Sequence, residues 1–397
     1  MKIYILLAIP FMAFASTVNL NEILQKLKYE HPMAKSIQAY EYAYSAENRV
    51  KSASKPLQLS TQATSAKPNL GKSQYEYSVK VQQKILNPSV KRSIIKSTAY
   101  QNDAEILKLK HDFLILENNI RLLYHINCLD KRIIKQYKTS YLAFKNLYTK
   151  KEKAYKYGEI SKKELIQLQI ELDRLQSEYK HYESEEKTSR DNLQSNILLP
   201  YFEGKMLSCK DTYAVTDELL LNNTQESLQE RSLNKKIKSV ESDFSRYNAL
   251  FDSFTLSASY DDEIGTKRYI VGLSVPLNFT TSLNRENRAV ALHKKSAFEY
   301  EKEGLRLKRA SKIKLLKKQL LQNSQDIRLV TSMLKRYEDE LMPLIKRGYH
   351  LGENSAIEYL LSQREMWKYK KDLIQHYKNY YKTLFQLYSV LEIKDSL

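Results

Sequence analysis

Ser161 and Glu164 stand three residues apart just after a glycine, and Ser355 and Glu358 repeat the arrangement 194 residues on. Both pairs belong to one phrase written twice. Tyr155-Lys156-Tyr157-Gly158-Glu159-Ile160-Ser161-Lys162-Lys163-Glu164 returns as Tyr349-His350-Leu351-Gly352-Glu353-Asn354-Ser355-Ala356-Ile357-Glu358, with the skeleton Tyr-x-x-Gly-Glu-x-Ser-x-x-Glu. A hydroxyl and a carboxylate at this spacing do hydrogen-bond chemistry. The serine oxygen accepts from the backbone N–H three residues on, and the glutamate reaches back to the serine N–H, which satisfies free donors at a helix start. Gly158 and Gly352 supply the positive φ at which the chain reverses.

Bond-making chemistry has no comparable setting. The carboxylates lie among lysines at helical spacings, no Ser/His/Asp grouping has supporting context, and no glycine loop cradles a phosphate. The seven histidines are scattered. His350, beside Gly352, is a single ligand without a spaced partner and holds no metal. Glu338, Asp339, Glu340 and Glu353, with Lys346 and Arg347 nearby, read first as solvated helix charges. Cys128 falls within a long helical pattern and Cys209 in an irregular stretch; a disulfide between them and two buried thiols are both open. The sequence predicts no enzyme, no cofactor and no metal site.

Internal repetition sets the architecture that positions the two turns. The 397 residues include only 8 Gly and 8 Pro, with 28% charged and 42% hydrophobic. That balance favours long helices over a disordered polyelectrolyte, and the 30 tyrosines give them faces suited to partial burial. Lys2, the apolar stretch Ile3 to Phe14 and the small-x-small Ala13-Phe14-Ala15 form an export signal with cleavage after Ala15. No cysteine near that site offers a lipid anchor, and no later apolar run approaches the roughly 18 residues of a spanning helix. Export then leaves a periplasmic or secreted chain, a surface-associated one, or one embedded as a β-barrel. The net charge of +19 would raise nucleic acid as a partner. Export argues against it, as do lysines spread along helices away from aromatic platforms.

Asn19 caps a helix from Leu20 to about Ser54, kinked or reset at His31-Pro32. Leu57, Leu59, Thr61 and Ala63 then alternate with polar residues, Pro68-Asn69-Leu70-Gly71 turns, and Tyr75, Tyr77, Val79 and Val81 alternate again, a β-hairpin. From about Ser89 to Lys156 no glycine or proline interrupts, and roughly 65 residues at 1.5 Å each make a helix near 100 Å, which must pack on other long helices. After Gly158 a helix runs from Lys162 to Leu193 or beyond. A helix resumes near Thr224 and runs to about Leu250. Phe254, Leu256, Ala258 and Tyr260 form an inbound strand, Asp261 to Gly265 the turn, and Tyr269 to Leu277 the outbound strand. Tyr75, Val79 and Val81 fall on Tyr269, Leu273 and Val275 at the same 194-residue offset. A long helix from Leu283 to Arg347, broken late by Pro343, and a last helix to Glu392 complete the second half.

The layout is a signal peptide (1–15), a first repeat (16–195, with hairpin 57–86 and turn 157–161), an irregular segment (196–223) and a second repeat (224–397, with hairpin 254–279 and turn 348–355). Four amphipathic strands cannot close a barrel, and an open sheet is not tolerated in a bilayer. Three chains would supply twelve strands and two would supply eight; strands near ten residues suit a tilted span.

The chain resembles the TolC-like outer-membrane efflux family, in particular its heavy-metal or small-molecule branch. The likeness rests on the two turns with their following starts (Leu165-Ile166-Gln167-Leu168-Gln169 and Leu360-Leu361-Ser362-Gln363). It rests also on Val271-Gly272-Leu273-Ser274-Val275-Pro276-Leu277 leading to a helix with Arg285, Asn287 and Ala289. It covers essentially the whole mature chain. His31-Pro32 departs from the family's Asn-Pro, and many relatives carry an acylated N-terminal cysteine that is lacking here.

The resemblance implies a mixed α/β membrane protein, a homotrimer whose twelve-stranded β-barrel in outer-membrane lipid continues as a long α-helical barrel in the periplasm. Its partners would be a periplasmic adaptor (membrane fusion protein) and an inner-membrane pump of the resistance-nodulation-division type. It would be a passive efflux conduit for metal cations or drugs. It places Gly158, Ser161, Glu164, Gly352, Ser355 and Glu358 at the periplasmic tip, Tyr155, Tyr157, Tyr349 and Leu351 in adaptor contact, and Asp339 and Glu353 at a gate. The alternative is an exported helix-rich structural or adhesion protein, which has no need of four amphipathic strands.

Overall fold

The computed structural model describes residues 17–66, 74–210, 212–215, 225–263, 265–278 and 282–393. The signal segment 1–15, the turn Pro68 to Gly71 and the cap expected at Thr224 lie outside the described residues. The chain divides into two compact units, and each draws on both sequence halves. One is Met1–Lys35, Asp112–Thr224 and Ala310–Leu397; the other is Ser36–His111 and Gln225–Arg309.

Helices α1 (Leu20–Glu30) and α2 (Pro32–Ser52) meet at His31, because Pro32 is tolerated only in a first helical turn. Asn19 Oδ1 accepts from Glu22 N–H at 2.8 Å, as the cap expected there should. Helix α3 (Pro88–Lys156) has 69 residues without a break, and α4 (Lys162–Ile197) follows the first turn. Helix α5 (Leu228–Arg246) starts later than expected. Ser227 caps it, with Ser227 Oγ taking the Glu230 N–H and Glu230 Oε2 the Ser227 N–H. The long second-half helix is α6 (Leu283–Arg336), a π-helical turn over Tyr337–Leu341, and α7 (Met342–Leu351); α8 (Ala356–Leu391) ends the described chain. Pro343 sits in the first turn of α7, so the π turn takes up the break that proline imposes.

The strands are β1 (Thr17–Val18), β2 (Gln58–Ala66), β3 (Gln74–Leu86), β4 (Met206–Leu207), β5 (Ser253–Glu263) and β6 (Thr266–Ser274). A four-stranded antiparallel sheet runs in the order β2-β3-β5-β6, so the two hairpins join through β3 and β5. The first three residues of the expected turn, Asp261 to Gly265, belong to β5. Asp261, Asp262 and Glu263 pair with Arg268, Lys267 and Thr266 as strand residues, and Arg268 bridges Glu263 at 3.1 Å. The outbound strand stops at Ser274, short of Leu277, because Pro276 has no N–H for a ladder.

The register sorts the sheet into two faces. Leu59, Val81, Ala258 and Val271 make one cross-strand row, and Thr61, Val79, Tyr260 and Tyr269 the next on the same face. The opposite face carries Ser60, Lys80, Ser259 and Ile270, then Gln62, Ser78, Asp261 and Arg268. The apolar rows are most open on the edge strand, where Val271 is 86% exposed and Tyr269 80%, while Val81 and Tyr260 within the sheet are half-buried. In the same unit Val90, Ala104, Leu233, Val240 and Ala291 are buried, and Ser232 Oγ donates to the Ala104 carbonyl at 2.8 Å. The other unit holds three apolar clusters. The first centres on Leu320, Tyr380, Leu384 and Phe385, the second on Leu20, Ile23, Ile120 and Tyr124, and the third on Phe144, Leu168, Leu360 and Trp367.

Candidate functional site

The two repeated turns have the same backbone geometry. At the end of α3, Glu159 N–H donates to the Ala154 carbonyl at 2.9 Å and Gly158 N–H to Tyr155 at 3.0 Å, with Gly158 at φ +77°. At the end of α7, Glu353 N–H donates to the Gly348 carbonyl at 2.9 Å and Gly352 N–H to Tyr349 at 3.2 Å, with Gly352 at φ +78°. Each is a helix end closed by a left-handed residue, a conformation that glycine adopts without a Cβ clash. Every atom pair in the second bond set lies 194 residues after its counterpart, so the repeated phrase repeats a shape.

The caps that follow are not equal. Ser355 Oγ accepts from Glu358 N–H at 3.1 Å and Glu358 Oε2 accepts from Ser355 N–H at 2.8 Å. At Ser161 the forward bond from Glu164 N–H is made at 3.1 Å, while Glu164 Oε1 lies 3.9 Å from Lys151 Nζ on α3. The expected reciprocal pair therefore forms at the second turn, and at the first the carboxylate is turned to a lysine across the hairpin.

Phe144 and Tyr148 of α3, Leu168 and Leu172 of α4, and Ala356 and Leu360 of α8 share one apolar cluster, which also takes in Tyr349. Tyr349 stacks on Tyr359 with centroids 5.2 Å apart, and Lys151 Nζ stands 5.7 Å from the Tyr349 ring. Burial raises the Tyr359 phenol above its ordinary range, and Gln363 Nε2 donates to its oxygen at 2.6 Å. Tyr349 is thus committed to packing within the chain. Tyr157, 82% exposed, and Leu351, 63% exposed, are the large apolar groups offered outward, with Tyr155 exposed to a lesser degree. Gly348 is buried, and a Cβ there would lie 2.6 Å from Asn354 Nδ2.

The acidic residues near the second turn separate by partner. Glu338, in the π turn, pairs with Lys370 of α8, and Tyr337 Oη donates to the Ser362 carbonyl at 3.0 Å. Asp339 and Glu353 are exposed and have no ion-pair partner among the described residues. Among those residues no group of three or more His, Cys, Asp or Glu is placed to hold a metal, and no helix is long and apolar enough to cross a membrane.

Periodicity did not reveal a polar clasp at the middle of α3. His125 is fully buried; Nδ1–H donates to the Arg121 carbonyl at 2.7 Å, and Nε2 accepts from Tyr213 N–H at 3.0 Å. Burial, with the Arg121 charge adding to it against that carbonyl bond, lowers His125 from its ordinary value to about 4. Tyr381 Oη donates to the Tyr213 carbonyl at 2.8 Å, and Cys128 is joined to Cys209. Of the two readings of the cysteines, the structure has the disulfide. The irregular segment is also tied by β4 to β1 in parallel, with Ser208 N–H donating to Val18 at 2.9 Å.

No protein-family model and no curated protein matches the sequence. Solved structures do match in fold. The Campylobacter jejuni CmeC outer membrane channel aligns with a TM-score of 0.78 at 12% identity, over 94% of this chain and 85% of that one. The outer membrane protein VceC of Vibrio cholerae gives 0.74 at 12%, over 94% and 95%. The open state of the Neisseria gonorrhoeae MtrE outer membrane channel gives 0.74 at 14%, over 94% and 88%. The fold is therefore that of the TolC-like outer-membrane channels, a four-stranded antiparallel sheet with a bundle of long helices. Identities this low and this even single out no branch of that fold, the heavy-metal branch included.

Proposed function

We propose that the chain is the outer-membrane channel of a tripartite efflux system. Three copies, each a product of internal duplication, give twelve strands, with β6 of one copy pairing β2 of the next. The apolar rows of Leu59, Val81, Val271 and Tyr269 face outer-membrane lipid and the Lys80 and Arg268 face lines the lumen. The helices continue as a tunnel in the periplasm. The turns at Gly158, Ser161 and Glu164 and at Gly352, Ser355 and Glu358 form its tip. Tyr155, Tyr157 and Leu351, with Tyr349 behind them, meet a periplasmic adaptor. Asp339 and Glu353 present charge at the constriction. An inner-membrane pump supplies energy and decides whether the cargo is a metal cation or a drug.

The single observation that carries this reading is the sheet: two largely apolar rows on one face, exposed at its edge, largely polar rows on the other, and two edges with no partner among the described residues. In a bilayer such edges are not tolerated, so the sheet must close with strands of other copies there. The test is fractionation of cells expressing the chain. A heat-resistant trimer in the outer-membrane fraction is expected, with disulfide cross-links between cysteines placed in β2 and β6 joining neighbouring copies. A soluble periplasmic monomer would overturn it and favour the structural or adhesion protein.

A further inference from the structure

Cys128 and Cys209 lie in the wall of a cavity of about 800 Å³, which Lys131, Arg132, Lys135, Tyr213, Tyr377 and Tyr381 also line. The disulfide spans 81 residues of chain and ties the segment around Cys209 to α3. Ser208 N–H reaches Val18, the Tyr213 N–H reaches His125, and the Tyr213 carbonyl takes the Tyr381 hydroxyl. Cys209 itself is held at φ +52°, a left-handed conformation that a non-glycine residue keeps only where its surroundings enforce it. Cys209 is half-buried and opens on the cavity, while Cys128 is almost wholly buried on α3. Lys131 and Arg132 follow Cys128 by three and four residues, one helical turn away, and share the wall of the cavity with it.

We infer that this cavity is a thiol–disulfide exchange site, at which a dithiol oxidoreductase of the envelope closes the Cys128–Cys209 bond and so latches residues 205–210 and strand β1 onto α3. The inference rests on the export reading, since the bond needs an oxidising compartment. The reduced Cys209 thiolate attacks a sulfur of the oxidoreductase disulfide, forming a mixed disulfide and releasing that enzyme's second sulfur as a thiolate. The Cys128 thiolate then attacks Cys209 Sγ and expels the enzyme's remaining sulfur. Two electrons pass to the oxidoreductase, which leaves as a dithiol carrying the two protons given up by the cysteines. The division of roles follows from access: the open Cys209 takes the enzyme, and the buried Cys128 resolves the adduct.

The test uses the full chain purified from membranes, reduced, and mixed with a purified thioredoxin-fold oxidase in its disulfide form. Cys128→Ser should trap a reductant-sensitive adduct at least about tenfold more than Cys209→Ser. Equal trapping, or the reverse preference, overturns the exchange site. A second measurement reads the latch. Reduction and alkylation, or the double Cys128→Ala/Cys209→Ala variant, should raise tryptic cleavage after Lys205 and Lys210 about tenfold while helical circular dichroism is kept. Unchanged cleavage overturns the latch. Fractionation is not among these readouts, so failure here leaves the channel reading standing.

Discussion

Ser355 and Glu358 cap one another through two backbone bonds of 3.1 and 2.8 Å, whereas Ser161 and Glu164 share just the forward one, from Glu164 N–H to Ser161 Oγ. The sequence writes both sites alike, but Lys151 draws the first glutamate across the hairpin. Glu358→Ala, which removes the return bond, should therefore cost about 1 kcal/mol locally, and Glu164→Ala, which loses only the pair with Lys151, about half as much. Native-state hydrogen exchange at the amides of 356–359 and 162–165 reads the difference. The expected acceleration is about fivefold at the second turn, at 0.59 kcal/mol per e-fold, and smaller at the first. Equal acceleration would mean that Glu358 adds nothing through its return bond.

His125 makes stability depend on pH. Its folded value of about 4 lies below the ordinary 6.5 because burial disfavours the charged ring. The unfolded chain therefore binds the extra proton between these values, and stability falls as pH falls. The contribution is complete above about pH 6.5, is lost by about pH 4, and is on the order of 3 kcal/mol. Arg121, Tyr213, Tyr381 and Phe385 surround the ring and none supplies a carboxylate to shelter its charge. Melting temperatures of the purified protein at pH 7.5 and 5 should differ, and His125→Phe should flatten the dependence. It should not remove it, because burial also lowers His31.

Local pattern carried the strands, the long helices and the two turns, since each announces itself within a few residues. The 194-residue offset even carried over to individual hydrogen bonds at Gly158 and Gly352. The start of α5 at Ser227, rather than near Thr224, follows the capping-box spelling Ser227-Leu228-Gln229-Glu230. The Asp261-Asp262-Glu263 run looked like a turn because strands seldom carry three acids; Lys267 and Arg268 opposite supply the reason, and pairing is not visible locally. The β1–β4 pair has two residues per strand, too few for a period. The clasp of His125, Tyr213 and Tyr381 joins residues 88 and 168 positions apart, so no window contains it.

The sheet's two faces should answer differently to one charge. Val271→Lys places an ammonium in an apolar row, at a cost of about 2–4 kcal/mol if the row meets lipid near mid-depth. Ile270→Lys, one residue away, places it on the face of Lys80 and Arg268. Heat-resistant oligomer in the outer membrane should fall severely for Val271→Lys and be nearly unchanged for Ile270→Lys. Equal loss for both would show that the faces do not divide lipid from water.

Glu338 already has its counter-charge in Lys370, while Asp339 and Glu353 leave theirs to whatever approaches. If the second turn lines the constriction, Asp339→Asn with Glu353→Gln removes field from the pore and should lower the preference for cations over anions. Reversal potentials in planar bilayers under a potassium chloride gradient measure that preference. Glu338→Gln should instead free Lys370, shift the preference less, and loosen the hold of the π turn on α8, which faster exchange of the amides around Tyr337 would register. A larger selectivity change in Glu338→Gln than in the double variant would move the constriction away from Asp339 and Glu353.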